Sequence, residues 1–273
     1  MPFLKRFGGG RVRAYLAADR VAAVREHGLL RRRVECAWAQ VTPDETGAPP
    51  WAPALQSLSG LIADRGWRGL PIDVAVSSEF VRLALIPGIR GQLTTLEIQG
   101  LAHGVFGKVL GEAAADWSVR YCAAGRSTVL GAAAEKSLLA ALADFARSSK
   151  GALRSVAPLW SCAVNWQRFR LRRRSAWLVL AESRAAAYGL LDRGHWRVVR
   201  AKSLDAGRGI GVARLLERES RYLGTATRDV IVVGDPPAGE PFAPGWKVEP
   251  VPVALARLGV LPAECRPAAL AGV

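Results

Sequence analysis

General acid–base and metal chemistry need paired carboxylates, and the sequence offers none at a useful spacing. Asp19, Glu79, Asp116, Glu182, Asp192, Asp205 and Asp235 lie far apart, and no two repeat at the three- or four-residue interval of a helix face. Glu182 follows the apolar run Ala176–Ala181, a strand end where acids of α/β sheets often act, although a solvated strand end is the expectation. His27, His103 and His195 are isolated, so neither a zinc-binding helix nor a histidine-driven triad is supported. Cys36, Cys122, Cys162 and Cys265 form no CxxC pair and read as small buried hydrophobes in a reducing compartment. Gly207-Arg208-Gly209-Ile210-Gly211 precedes a helical pattern, yet it lacks the third glycine of a dinucleotide turn and reads as a strand-to-helix connection. Neither a P-loop nor a nucleophile-elbow motif occurs. No residue is therefore assigned a catalytic, cofactor-binding or metal-binding role.

Charge is the other chemical signal. The formal net charge is +15, and only six of the 38 basic residues are lysine. A basic balance favours anionic partners: nucleic acid, an anionic membrane surface or an acidic protein. Two runs concentrate it, Arg31–Arg33 and the stretch holding Arg168, Arg170, Arg172, Arg173 and Arg174. The second contains one aromatic, Phe169, whereas single-strand binders interleave several, and no nucleic-acid-binding motif accompanies it, so nucleic acid is disfavoured.

Half of the 273 residues are hydrophobic, enough for a substantial core. The longest uncharged run, residues 46–63, is broken by prolines and glycines, and no apolar stretch follows Lys5 and Arg6 as in a signal peptide; a soluble cytoplasmic protein is expected. Period-two and β-branched patterns predict strands over residues 12–18, 20–26, 32–41, 72–77, 80–86, 117–124, 127–133, 153–158, 176–181, 186–192, 196–203 and 229–234. Helical periodicity marks residues 55–62, 94–110, 135–148, 159–166, 210–223 and a short piece at 253–258. No short repeat exists, but both halves open with several strands and then a helix.

Taken in order, these elements resemble the actin-like, ribonuclease H-like fold, and specifically the cytoplasmic assembly proteins of type IV pili and type II secretion (PilM-like proteins and the GspL cytoplasmic domain). The residues carrying the resemblance are Phe3-Leu4-Lys5-Arg6-Phe7, the run from Asp73 to Gly88 (DVAVSSEFVRLALIPG), Trp177–Glu182, Tyr188–Gly194 and Val230–Gly234. It implies an α/β, two-lobed fold with mixed sheets flanked by helices. The expected lobes are 1–174, with an inserted subdomain at about 90–151, and a reduced second lobe, 175–273.

The nucleotide-binding members of that fold place glycine-containing turns at three points. Here the matching turns hold Ala18 and Asp19, then Glu182 and Ser183, then Gly234 and Asp235, and the first two lack the glycine. The resemblance thus implies a non-catalytic scaffold without a cofactor at an inner-membrane platform, a degenerate ATPase. Its implied partners are the cytoplasmic tail of a bitopic membrane protein and the motor ATPase, with homo-oligomer formation left open. Phe3, Arg6 and the five arginines from Arg168 to Arg174 are the expected membrane or partner contacts. The alternatives are a divergent actin-like ATPase or sugar-kinase-like enzyme and, third, a basic nucleic-acid-binding protein.

Overall fold

A computed structural model describes residues 10–28, 33–42, 47–87, 93–124, 128–204, 211–234, 242–251 and 262–271. Expected features at Phe3–Phe7, Arg31, Arg32, Asp205, Gly207–Ile210, Asp235 and residues 253–258 lie outside the described residues.

The architecture is a topology used twice. In the first sheet, β1 (Arg11–Leu16), β2 (Arg20–His27) and β3 (Arg33–Gln40) form an antiparallel meander, and β4 (Ile72–Val76) and β8 (Leu153–Pro158) add parallel to β1 in the order β3-β2-β1-β4-β8. In the second sheet, β9 (Ala176–Ala181), β10 (Ala185–Asp192) and β11 (His195–Ser203) repeat the meander, and β12 (Asp229–Val233) and β13 (Lys247–Val251) repeat the parallel pair as β11-β10-β9-β12-β13. Each meander is followed by one helix before the chain returns to the sheet: α1 (Ala52–Asp64) in the first, α5 (Val212–Leu223) in the second. Strand β13 was not expected, because Pro250 and a sparse apolar pattern hide an edge strand.

Local sequence explains most of the packing. α1 buries Ala54, Leu58 and Ile62. α3 (Lys136–Ser148) buries Leu138, Leu142, Phe145 and Ala146, which follows its expected stripe. α5 buries Val212, Leu215 and Leu216, but the stripe continues through Glu219 and Ser220, and Tyr222 is 78% exposed. Glu219 fits because it accepts a hydrogen bond from the Tyr188 hydroxyl at 3.2 Å and faces Arg200 at 3.5 Å.

A separate three-stranded sheet, β5 (Val81–Pro87), β7 (Thr128–Glu135) and β6 (Trp117–Ala123), carries α2 (Thr95–Leu110) on its own apolar cluster. Phe106 of α2 lies so close over β7 that a Cβ on Gly131 would stand 2.8 Å from the ring, so the interior of this strand needs glycine. α2 opens on a capping box: the Glu97 amide donates to Thr94 Oγ1 at 3.3 Å, and the Thr94 amide donates to Glu97 Oε2 at 2.7 Å.

The chain forms two compact units, 1–80 with 137–166 and 252–273, and 81–136 with 167–251. These bounds differ from the expected lobes of 1–174 and 175–273. The residues expected as an insertion, about 90–151, divide between the units: those up to Lys136 go with the second, as does β5, which lies against β11, and those from Ser137 on go with the first. The end of the chain belongs with the first unit. There α6 (Arg266–Ala269) is held by Arg13, whose guanidinium donates to the Ala269 carbonyl at 2.6 Å and pairs with Glu26 at 2.7 Å. No helix among the described residues is long and apolar enough to cross a membrane.

Candidate functional site

Within the first unit, the parallel strands β1 and β4 end at the same edge of the sheet, the position where α/β proteins bind ligands. The β1–β2 turn is tight, with the Ala17 amide donating to the Arg20 carbonyl at 3.1 Å. The Asp19 carbonyl accepts from the Val41 amide at 2.8 Å, and Asp19 Oδ1 is buried with no hydrogen-bond partner among the described residues. The Ala18 amide, the group that would face a phosphate, donates to Glu79 Oε2 at 3.2 Å. Glu79 stands on the turn after β4, steadied by its own amide donating to Ser77 Oγ at 3.2 Å. The turn therefore presents two carboxylates, and one already occupies its free amide. A phosphate at this point meets like charge unless a cation neutralises it. The pairing of Ala18 with Glu79 spans 61 residues and has no local signal in the sequence.

The second unit repeats the arrangement at the ends of β9 and β12. The Glu182 amide donates to the Ala185 carbonyl at 2.9 Å to close the turn. Glu182 is only 5% exposed, which corrects the expectation of a solvated strand end: the turn folds its side chain inward while Ser183 stays exposed. Gly234 sits beside this turn at φ +94°, with the position of a Cβ 3.4 Å from the Ala181 carbonyl. Among the described residues no group of three His, Cys, Asp or Glu side chains could hold a metal ion. The cysteines also need correction: Cys162 and Cys265 are buried, but Cys36 is half-buried and Cys122 is exposed on β6. Gly211, the last of the Gly-Arg-Gly-Ile-Gly run, is the N-cap of α5 with no side-chain cap, as a connection requires.

The five arginines all fall in the second unit. Arg168 and Arg170 end α4 (Leu159–Leu171), and Arg172, Arg173 and Arg174 lead into β9. Arg170 and Arg174 clasp Glu249 of β13 at 2.9 and 2.7 Å, and the Arg174 hydrogen bond holds the Glu249 carboxyl below its usual value. An open pocket of about 380 Å³ lies here, lined by Arg174, Ser175, Asp229, Lys247 and Glu249 among others.

No protein-family model matches the chain, and no curated protein sequence matches it. Solved structures do. A chain of the PilM–PilN type IV pilus biogenesis complex is similar at TM-score 0.66 and 13% identity, with 88% of this chain and 88% of that chain covered. The cytoplasmic domain of EpsL, an inner membrane component of the type II secretion system of Vibrio cholerae, is similar at TM-score 0.58 and 12% identity over 96% of this chain and 94% of that one. A Bacteroides thetaiotaomicron protein of unknown function with an actin-like ATPase fold is similar at TM-score 0.59 and 10% identity, 86% of each chain being covered. Strand order in both sheets and likeness over most of the chain agree: this protein has the actin-like ATPase fold.

Proposed function

We propose that the protein is a non-catalytic scaffold at the cytoplasmic face of a type IV pilus or type II secretion platform, which holds the cytoplasmic tail of a bitopic inner-membrane protein. The observation that carries the non-catalytic part is the Ala18 amide engaged by the Glu79 carboxylate at 3.2 Å, in a turn that already lacks glycine. The likeness to PilM–PilN and to the EpsL cytoplasmic domain supports the setting. The motor ATPase is a second partner under this reading.

Two measurements test it. Cross-linking and pull-down from a native membrane fraction recovers a single-span membrane protein through its cytoplasmic segment. The purified protein shows no magnesium-dependent ATP turnover. Turnover that disappears on Asp19→Asn overturns the reading in favour of a divergent actin-like ATPase, the alternative favoured by Asp19 Oδ1, which is buried with no hydrogen-bond partner among the described residues.

A further inference from the structure

At the end of the second sheet where β9, β12 and β13 begin, the arginine run is joined by residues distant in sequence. The Gly194 amide donates to the Arg174 carbonyl at 2.7 Å and the Arg193 amide donates to Ser175 Oγ at 2.9 Å, which sets the β10–β11 turn against the run. The Lys247 amide donates to the Arg228 carbonyl at 2.9 Å, which sets the starts of β12 and β13 there too. Five arginines of the run, Arg193, Arg228 and Lys247 thus share one end of the unit with Asp192, Asp229 and Glu249. Glu249 engages both Arg170 and Arg174, so these two guanidinium groups are committed to an ion pair and are not the free charges of this face. Arg168, Arg172, Arg173 and Arg193 are exposed and form no salt bridge among the described residues.

Two further observations concern these four. Arg173 and Arg193 sit at φ 65° and 50°, a left-handed backbone that costs a side-chain-bearing residue energy and suits glycine. Gly194, next to Arg193, lies against the backbone of Arg173, where a Cβ would stand 2.7 Å from the Arg173 nitrogen. Phe169, 75% exposed, projects among the arginines with the Arg168 guanidinium 4.7 Å over its ring, and Val248 is 40% exposed at the start of β13.

We propose that this end of the second unit is a docking face for an anionic phospholipid surface, with the four free arginines at the headgroup level and Phe169 entering the interface. Exposed aromatic and aliphatic side chains set among arginines suit a boundary that is charged outside and apolar beneath. A single aromatic offers no stacking platform for successive bases, which disfavours nucleic acid. The face goes beyond the scaffold reading and does not rest on it, because protein-free vesicles contain no partner tail.

The test is flotation of the purified full chain with vesicles of phosphatidylcholine alone and with about 30% phosphatidylglycerol. Wild type floats with the anionic vesicles only and is released as salt rises. The variant Arg172→Gln/Arg173→Gly/Arg193→Gly loses about a hundredfold in vesicle partitioning, at about fivefold per arginine near the surface. Its thermal midpoint is unchanged or raised, since two of the changes relieve a positive φ, and this keeps loss of binding separate from loss of fold. Phe169→Ala weakens binding while the salt dependence stays. Equal flotation of wild type and triple variant, or equal binding to neutral vesicles, overturns the proposal. Retention of duplex DNA or polyglutamate without any vesicle binding also overturns it and reassigns the face to that macromolecule.

Discussion

Glu219 occupies a place on α5 that periodicity reserves for an apolar residue, and its carboxylate is 4% exposed. It is tolerated because Tyr188 and Arg200 reach it from β10 and β11, and burial together with this neighbouring carboxylate pushes the Tyr188 hydroxyl pKa upward. Glu219→Ala leaves a buried hydroxyl unpaired and lowers stability by about 1–3 kcal/mol in urea unfolding, whereas Tyr188→Phe costs less. The thiols separate by the same logic of access. Burial, and then the neighbouring Cys36, push the Cys265 thiol up to about 12, so it stays protonated at neutral pH. A thiol-disulfide reagent labels Cys122 in the native protein, while Cys162 and Cys265 react only after unfolding.

At the scale of elements, helix α2 depends on its first turn. The hydrogen bond from the Thr94 amide holds the Glu97 carboxyl below its ordinary value of 4.5. A carboxyl pKa depressed on folding contributes stability above the unfolded value and loses it as pH falls through the folded one. Acidification below 4.5, like Thr94→Ala, therefore frays the start of α2, and faster amide exchange at Glu97 reads it. The β7 strand under α2 makes the opposite demand, for space. Gly131→Ala drives a methyl into the Phe106 ring, in a cluster with Ile86, Val119 and Val129 around it. The ring has little room to turn away, and the expected cost is about 1–3 kcal/mol, measured by thermal unfolding.

At the scale of the molecule, the end of the chain is part of the first unit. Residues 268–271 are fully buried, and the Ala269 carbonyl caps Arg13, itself only 7% exposed. Deleting residues 262–273 removes that acceptor and uncovers the apolar surface of the first sheet. The deleted protein is expected to unfold at several degrees lower temperature, because the buried Arg13 guanidinium loses a hydrogen-bond acceptor in addition to the lost burial. Arg13→Met in the full chain recovers part of what Arg13→Ala loses, since the aliphatic stem keeps its packing.

Periodicity placed β3, α1, α3 and α5, because a segment that buries one face leaves its period in the sequence, whereas β1, β2, β9 and β10 are buried on both faces and are marked by apolar runs between turn signals. The glycine-poor turns at Ala18 and Ser183 were legible for the same reason: a tight turn between two strong strands has few places to lie. What the sequence could not hold is any term between distant residues. The Glu79 carboxylate on the Ala18 amide, the burial of Glu182 and the pairing of β13 with β12 depend on which strands become neighbours. So does the gathering of Arg193 with the run at Arg168–Arg174. A hydrogen bond across 61 residues and a turn that swings one arginine beside another leave no local pattern. Strand order is set by the burial of the whole sheet, and only the folded chain decides it.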